Sequence, residues 1–305
     1  MTKAKLKARS EALQIPFSRL LAGFVLEKVL SLLAESEFGG NLWLLNGSSL
    51  GVEQYRRQNV LALEFTYVTD EKAKKSGALV NGQTLSPKLA FLMLACIVQK
   101  EKTPEIKWMG NLSTVQNNGR NDICLSIVAE FEEMKVPMRV FIRENEDFAV
   151  QKMSPAKKTL SSCVEDGVEI SYLQYPTEEL LAQKLFAVIR DMELLSDMET
   201  YAEIYEILSH EMIDGRWVRE LLGEACKKQN MDAAMKRVEE ILSYRDYPYM
   251  KKRWQRYLRQ QKKKTPSFED VMELLAKFLP PIWEAVCNDE VFIGDWMPEL
   301  LRFLG

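Results

Sequence analysis

LWLLNGSSL, residues 42–50, is the stretch on which the fold turns. The unbroken apolar run Leu42-Trp43-Leu44-Leu45 is too short for a helix and predicts a buried strand. Asn46-Gly47-Ser48-Ser49 predicts a tight turn, since Asn and Ser bond their own backbone and Gly accepts conformations other residues avoid. Upstream, Phe17, Leu20, Leu21, Phe24, Val25 and Val29 recur at steps of three and four, which predicts an amphipathic helix from Phe17 to Glu35, ended at Gly39-Gly40. Downstream, a short helix to Tyr55 and a second strand from Val60 to Val68 follow.

Leu85 to Gln99 predicts a helix. Ile106 to Met109, Ile123 to Phe131 and Val136 to Ile142 predict strands, the last two able to form a hairpin, and Val168 to Leu173 predicts a closing strand. Past Tyr175 almost everything has helical period. Pro176 opens this part, with Thr177 as a cap or first-turn residue. Helices are expected at Glu178 to Met192, Glu199 to His210, Val218 to Lys228, Asp232 to Ser243, Tyr249 to Gln261 and Ser267 to Val286. The expected class is α+β: a small mixed sheet with flanking helices over residues 1–174, then a helical bundle over 175–305. Phe292, Trp296, Leu300, Leu301 and Phe303 are expected to dock as a last helix or to form a partner surface.

The chain has 305 residues, 47% of them hydrophobic, so it can bury a substantial core. Its formal net charge of -3 excludes nucleic-acid binding by the molecule as a whole, and any such role needs a local patch. Cys96, Cys124, Cys163, Cys226 and Cys287 show neither metal-ligand nor redox spacing and read as small core residues. A reducing cytoplasm fits them. The basic start, Met1 to Arg9, leads into no apolar segment of a secretory signal. Leu89 to Val98 is the longest apolar run and is too short to cross a bilayer, so no membrane role is expected. His210, the single histidine, stands at a predicted helix end, where a partial positive charge is favourable, and cannot alone make a histidine metal site.

Strand, Gly-Ser turn, helix, strand is the opening order of the minimal nucleotidyltransferase fold. Residues Arg19 to Leu50, then YPTEELLAQKL at 175–185, then Trp254, Phe268, Val271, Phe278, Leu279 and Pro280, resemble in order and spacing the AbiEii/AbiGii toxin family of nucleotidyltransferases. The resemblance covers nearly the whole chain. It implies a Gly-Ser turn that cradles a triphosphate with backbone N–H groups, here Gly47, Ser48 and Ser49, and a phosphate-contacting lysine, here Lys184. It also implies two carboxylates on one strand and a third on a neighbour, which together hold two divalent ions. The matching positions are apolar: Leu61 and Leu63 for the pair, Phe141 for the third. In the family's basic helix, the match Asp197 to Glu203 puts acids at two basic positions and Thr200 at an aspartate.

On this alignment the metal carboxylates are gone. Leu61, Leu63 and Phe141 should then be buried and packed together, the old pocket refilled with hydrocarbon. Ser48 and Ser49 either bind an anion or cap the short helix. Lys184 either contacts a phosphate or is a solvated helix lysine. No cofactor is expected, and Mg or Mn with a nucleoside triphosphate is needed only if transfer survives. Lys251 to Lys264 is dense in basic residues and free of acids. Lys251, Lys252, Arg253, Arg256, Arg259, Lys262, Lys263 and Lys264 form either a solvated face or a contact for nucleic acid or an acidic partner. Three functions follow. The first is a catalytically inactive AbiEii-like binding or regulatory protein in a phage-defence or toxin–antitoxin setting, with a cognate antitoxin or other protein as partner. The second is an active transferase modifying RNA or protein. The third is an RNA-binding module using the basic helix.

Overall fold

The computed structural model describes residues 1–68, 85–99, 103–117, 120–144, 154–261 and 266–305. The residues up to Glu144 with Ser154 to Tyr175 form one compact unit, and Pro176 to Gly305 belong to the other.

The first unit is built on a mixed sheet. In chain order its described elements are α1 (Lys3–Leu13), α2 (Phe17–Ala34), β1 (Leu42–Leu44), α3 (Val52–Arg57), β2 (Ala62–Tyr67), α4 (Pro87–Val98), β3 (Lys107–Asn117), β4 (Arg120–Phe131), β5 (Met134–Glu144), β6 (Ala156–Ser161) and β7 (Glu169–Gln174). The strands lie in the order β3-β4-β5-β2-β1-β7-β6. β1 runs antiparallel to β2 and parallel to β7, and β2 runs parallel to β5. β1, from the apolar run Leu42 to Leu45, is thus an interior strand, and Leu42, Trp43 and Leu44 are all buried. Strands covered on both faces read as continuous apolar runs for this reason.

Side chains alternate across a sheet, and one face of this one is the core. Leu63 and Phe65 of β2, Val140 and Ile142 of β5, and Leu125 and Ile127 of β4 share that face, packed with Leu20, Phe24 and Leu30 of α2 and with Leu89 and Met93 of α4. Ser86 caps α4 by accepting the Leu89 N–H, with Pro87 in its first turn, where the missing N–H costs nothing. Two elements carried no apolar period: α1, held by Leu6, and the exposed edge strand β6, held to β7 by backbone pairing. Neither Ser48 nor Ser49 stands at the N-cap position of the short helix α3. They belong to a 3-10 turn, Gly47–Ser49, and the N-cap is Gly51, with φ of 103°.

The second unit is helical: α5 (Thr177–Asp191), α6 (Glu199–His210), α7 (Gly215–Lys228), α8 (Met235–Ser243), α9 (Pro248–Gln260) and α10 (Phe268–Cys287). Its core gathers Leu185, Ile204, Leu222, Trp254, Phe278 and Trp283. Thr177 is a first-turn residue, with Pro176 at the cap position. Ser267 and Asp270 form a reciprocal capping box at the start of α10. The tail is not a last helix. β8 (Ile213–Asp214), β9 (Asp295–Met297) and β10 (Arg302–Leu304) make a small antiparallel sheet. Gly294 at φ 144° and Leu301 at φ 49° break helical geometry, and the fully buried Trp296 donates its indole N–H to the Leu208 carbonyl at 2.8 Å. No described helix is long and apolar enough to cross a membrane.

Candidate functional site

The turn after β1 is held by Asn46. Its amide donates to the Ala62 carbonyl and its carbonyl oxygen accepts the Glu64 N–H, both at 3.1 Å, while Leu45 N–H reaches the Glu64 carbonyl at 2.7 Å. The Gly-Ser turn is therefore clamped to β2 at the level of Glu64. Gly47 leaves space, but a side chain fills it. A methyl group there would sit 2.8 Å from Oε1 of Gln174 and 3.4 Å from the Tyr172 hydroxyl, both on β7. The Ser49 N–H is taken by the Asn46 carbonyl at 3.0 Å.

Register decides what faces what. In the parallel β2–β5 pair Leu63 stands beside Val140 and Glu64 beside Phe141. A shift of one residue turns a strand residue to the other face. Leu63, fully buried, points into the core, whereas Phe141 lies on the opposite face with Ala62, Glu64 and Thr66. Leu61, just ahead of β2, is only partly buried. The expected cluster of Leu61, Leu63 and Phe141 is thus not formed. Phe141 and Leu61 instead line an open hollow of about 760 Å³ with Met109, Asn111, Ser126 and Arg139.

The polar centre of that face is an ion pair, not a hydrocarbon plug. The Arg143 guanidinium lies 3.3 Å from the Glu64 carboxylate, each side chain 36% exposed. In the strand order β5 lies between β4 and β2, and by alternation Asp122 of β4 shares this face with Cys124. Arg143 therefore stands between two acid-bearing strands. Two-ion transfer needs three converging carboxylates with no competing cation. Among the described residues no group of three or more His, Cys, Asp or Glu comes together to hold an ion. Among the described residues the Glu64 carboxylate, paired with a guanidinium, does not make the donor set of a divalent pair. Alternation from Phe141 reaches Arg143 along β5, and alternation along β2 puts Glu64 on the face opposite Leu63; that Glu64 and Arg143 share one face is set by the pairing of the two strands.

Lys184, in the other unit, is not a solvated helix lysine. Its side chain is 13% exposed, and its ammonium is paired with Glu203 of α6. Glu203 belongs to an acidic edge. Burial first, and then the carboxylates of Glu199, Glu203, Asp197 and Glu206, push the Tyr257 phenol well above its ordinary range. A polyanion approaching Lys184 would meet those carboxylates. His210 ends α6 as expected, with Nδ1 2.9 Å from the Glu206 carbonyl.

The basic helix α9 is narrower than its composition. Lys251 is held between Asp246 at 3.8 Å and Glu269 at 2.5 Å. Arg253 donates to the Glu193 and Leu195 carbonyls. Lys252, Arg256 and Arg259 are exposed. Lys262, Lys263 and Lys264 lie outside the described residues. All five cysteines are free thiols.

No family model and no curated protein matches this chain. Among solved structures, it is similar to the nucleotidyltransferase toxin MenT4 from Mycobacterium tuberculosis H37Rv, at 13% identity and a TM-score of 0.44, over 95% of this chain and 88% of that one. It is similar to JHP933 from Helicobacter pylori at 11% identity and a TM-score of 0.44, over 90% of this chain and 94% of that one. A candidate nucleotidyltransferase from H. pylori gives 10% identity and a TM-score of 0.40, over 90% of this chain and 97% of that one.

Proposed function

We propose that this chain is an AbiEii-like nucleotidyltransferase-fold protein that has given up metal-dependent transfer, a pseudoenzyme acting by binding. In this reading it is a cytoplasmic binding or regulatory protein of a phage-defence or toxin–antitoxin setting, with a cognate antitoxin or another protein as partner. One observation carries it: the Arg143–Glu64 pair at 3.3 Å, on the sheet face of Phe141, the position matched to the family's third carboxylate. A guanidinium there neutralises the carboxylate charge that a divalent ion needs, and it cannot be deprotonated to make way. The Lys184–Glu203 pair supports the same reading, because the lysine that would meet a phosphate already has a partner.

The test is direct. The full chain is incubated with each labelled ribonucleoside triphosphate, Mg²⁺ or Mn²⁺, and total RNA or cell lysate. No labelled product is expected, and no triphosphate with Mg²⁺ should raise the melting temperature, since a ligand bound to the folded state alone would do so. Labelled product that disappears in both Glu64→Gln and Lys184→Ala would overturn the proposal in favour of an active transferase.

A further inference from the structure

Between Tyr244 and Gln261 the chain carries six basic residues and one acid, the largest departure from the molecule's net negative charge that falls on a described helix. The same segment presents aromatic rings to solvent. Tyr249 is 51% exposed and Tyr247 39%. The ring centroids of Tyr244 and Tyr247 lie 6.1 Å apart and those of Tyr247 and Tyr249 5.9 Å apart, a row of three. The Arg253 guanidinium lies 5.6 Å from the Tyr249 centroid, and its hydrogen bonds to the Glu193 and Leu195 carbonyls hold it there.

Helical spacing puts charge and rings on one surface. Tyr249, Lys252 and Arg256 are separated by three and then four residues, so they form one stripe along α9, spanning roughly 10 Å. Met250, Trp254 and Leu258 bury the opposite side. Lys252 and Arg256 are exposed, while the single acid, Asp246, lies 3.8 Å from Lys251. A merely solvated basic face needs no exposed tyrosines, and an apolar docking surface would not be edged by guanidinium and ammonium groups. Rings beside a row of cations match one ligand chemistry: a base with a face to stack and a phosphodiester with a charge to neutralise.

We propose that the Tyr247–Tyr249 rings with Lys252 and Arg256 form a binding site for single-stranded nucleic acid, bases stacking on the tyrosines and phosphates meeting the cations. The site lies wholly in the helical unit and does not rest on the loss of transferase chemistry. A duplex, its base faces stacked internally, has only its phosphates to offer here and binds weakly.

The experiment is fluorescence anisotropy of the full chain with short labelled oligouridylate, oligothymidylate and a blunt duplex, titrated at several salt concentrations. Both single strands are expected to bind more tightly than the duplex, and a preference between them assigns RNA or DNA. Tyr249→Ala is expected to weaken single-strand binding roughly tenfold, with Tyr249→Phe close to the parent, because stacking needs the ring and not the hydroxyl. The double variant Lys252→Gln, Arg256→Gln should flatten the dependence of log affinity on log salt by about one to two units. It alters only exposed side chains, so it keeps the test decisive if Tyr249→Ala folds poorly. Absence of single-strand binding at low salt would overturn the proposal. So would equal binding of the duplex, or polyglutamate binding as tightly as the oligonucleotides, which would mark an acidic protein surface as the ligand.

Discussion

Arg143 and Glu64 meet at 3.3 Å on the face of the sheet that Leu63, the residue before Glu64, turns away from. The contrast between neighbouring residues yields a clean stability test. Leu63→Asp removes a fully buried side chain, losing roughly 1.5–3 kcal/mol of burial, and adds the larger cost of an unpaired buried charge. Phe141→Asp, on the half-exposed opposite face, is expected to cost about 1 kcal/mol or less. Urea melts of the two variants check the assignment. If Phe141→Asp unfolds as early as Leu63→Asp, both side chains face the core and the register drawn here is wrong.

The Lys184–Glu203 pair is expected to stabilise the helical unit. Lys184→Ala leaves a half-buried carboxylate with less compensation, and about 1–2 kcal/mol should be lost. Exchanging the charges, Lys184→Glu with Glu203→Lys, should recover part of that loss. A double-mutant cycle by chemical denaturation measures the coupling, and a coupling near zero would mean that the two side chains do not act as a pair.

Glu27 gives the fold a pH dependence. It is almost completely buried in α2, where its carboxylate accepts the Ser162 hydroxyl at 2.9 Å and the Cys163 N–H at 3.1 Å. Burial raises its pKa above 4.5, and the hydrogen bonds from Cys163 and Ser162 oppose that shift without cancelling it. An acid whose folded-state pKa is raised holds its proton longer when folded than when unfolded. Its contribution is therefore fullest below the unfolded pKa and declines as pH rises through the folded one. Relative to Glu27→Gln, the parent should lose stability as pH increases from about 4.5. Urea midpoints of both proteins across that range provide the comparison, and parallel pH profiles would show that Glu27 is not the source.

Two glycines should respond differently to alanine. At Gly39 an added methyl group would lie 2.1 Å from the Ala34 carbonyl oxygen, so backbone at the end of α2 has to move. A cost of roughly 3 kcal/mol or more is expected there, as for other backbone clashes. At Gly47 the nearest atom is the far end of Gln174, at 2.8 Å, which can swing aside. Gly47→Ala should cost about 1 kcal/mol, largely relieved by adding Gln174→Ala. Thermal melts of the three variants test the order.

Periodicity and punctuation were enough to find most elements. The 3.6-residue repeat from Phe17 onward, the apolar run Leu42 to Leu45 and the switch to helical period at Pro176 each depend on which residues must leave water, and that information is local. β6 escaped because its exposed lysines bury nothing and it exists through backbone pairing with β7. The tail escaped because Phe292, Trp296, Leu300 and Phe303 fit a helix as well as a strand; the turns at Gly294 and Leu301 and the buried seat of Trp296 chose between them. The site was legible in part. The Asn46-Gly47 turn could be read directly, but its role could not, since Gln174 comes from a strand 127 residues further on. Likewise no local pattern says whether Leu63 or Glu64 faces Phe141. A strand carries two faces at period 2, and only its pairing with β5, set by packing across the whole sheet, decides which of the two is core and which carries the Glu64–Arg143 pair.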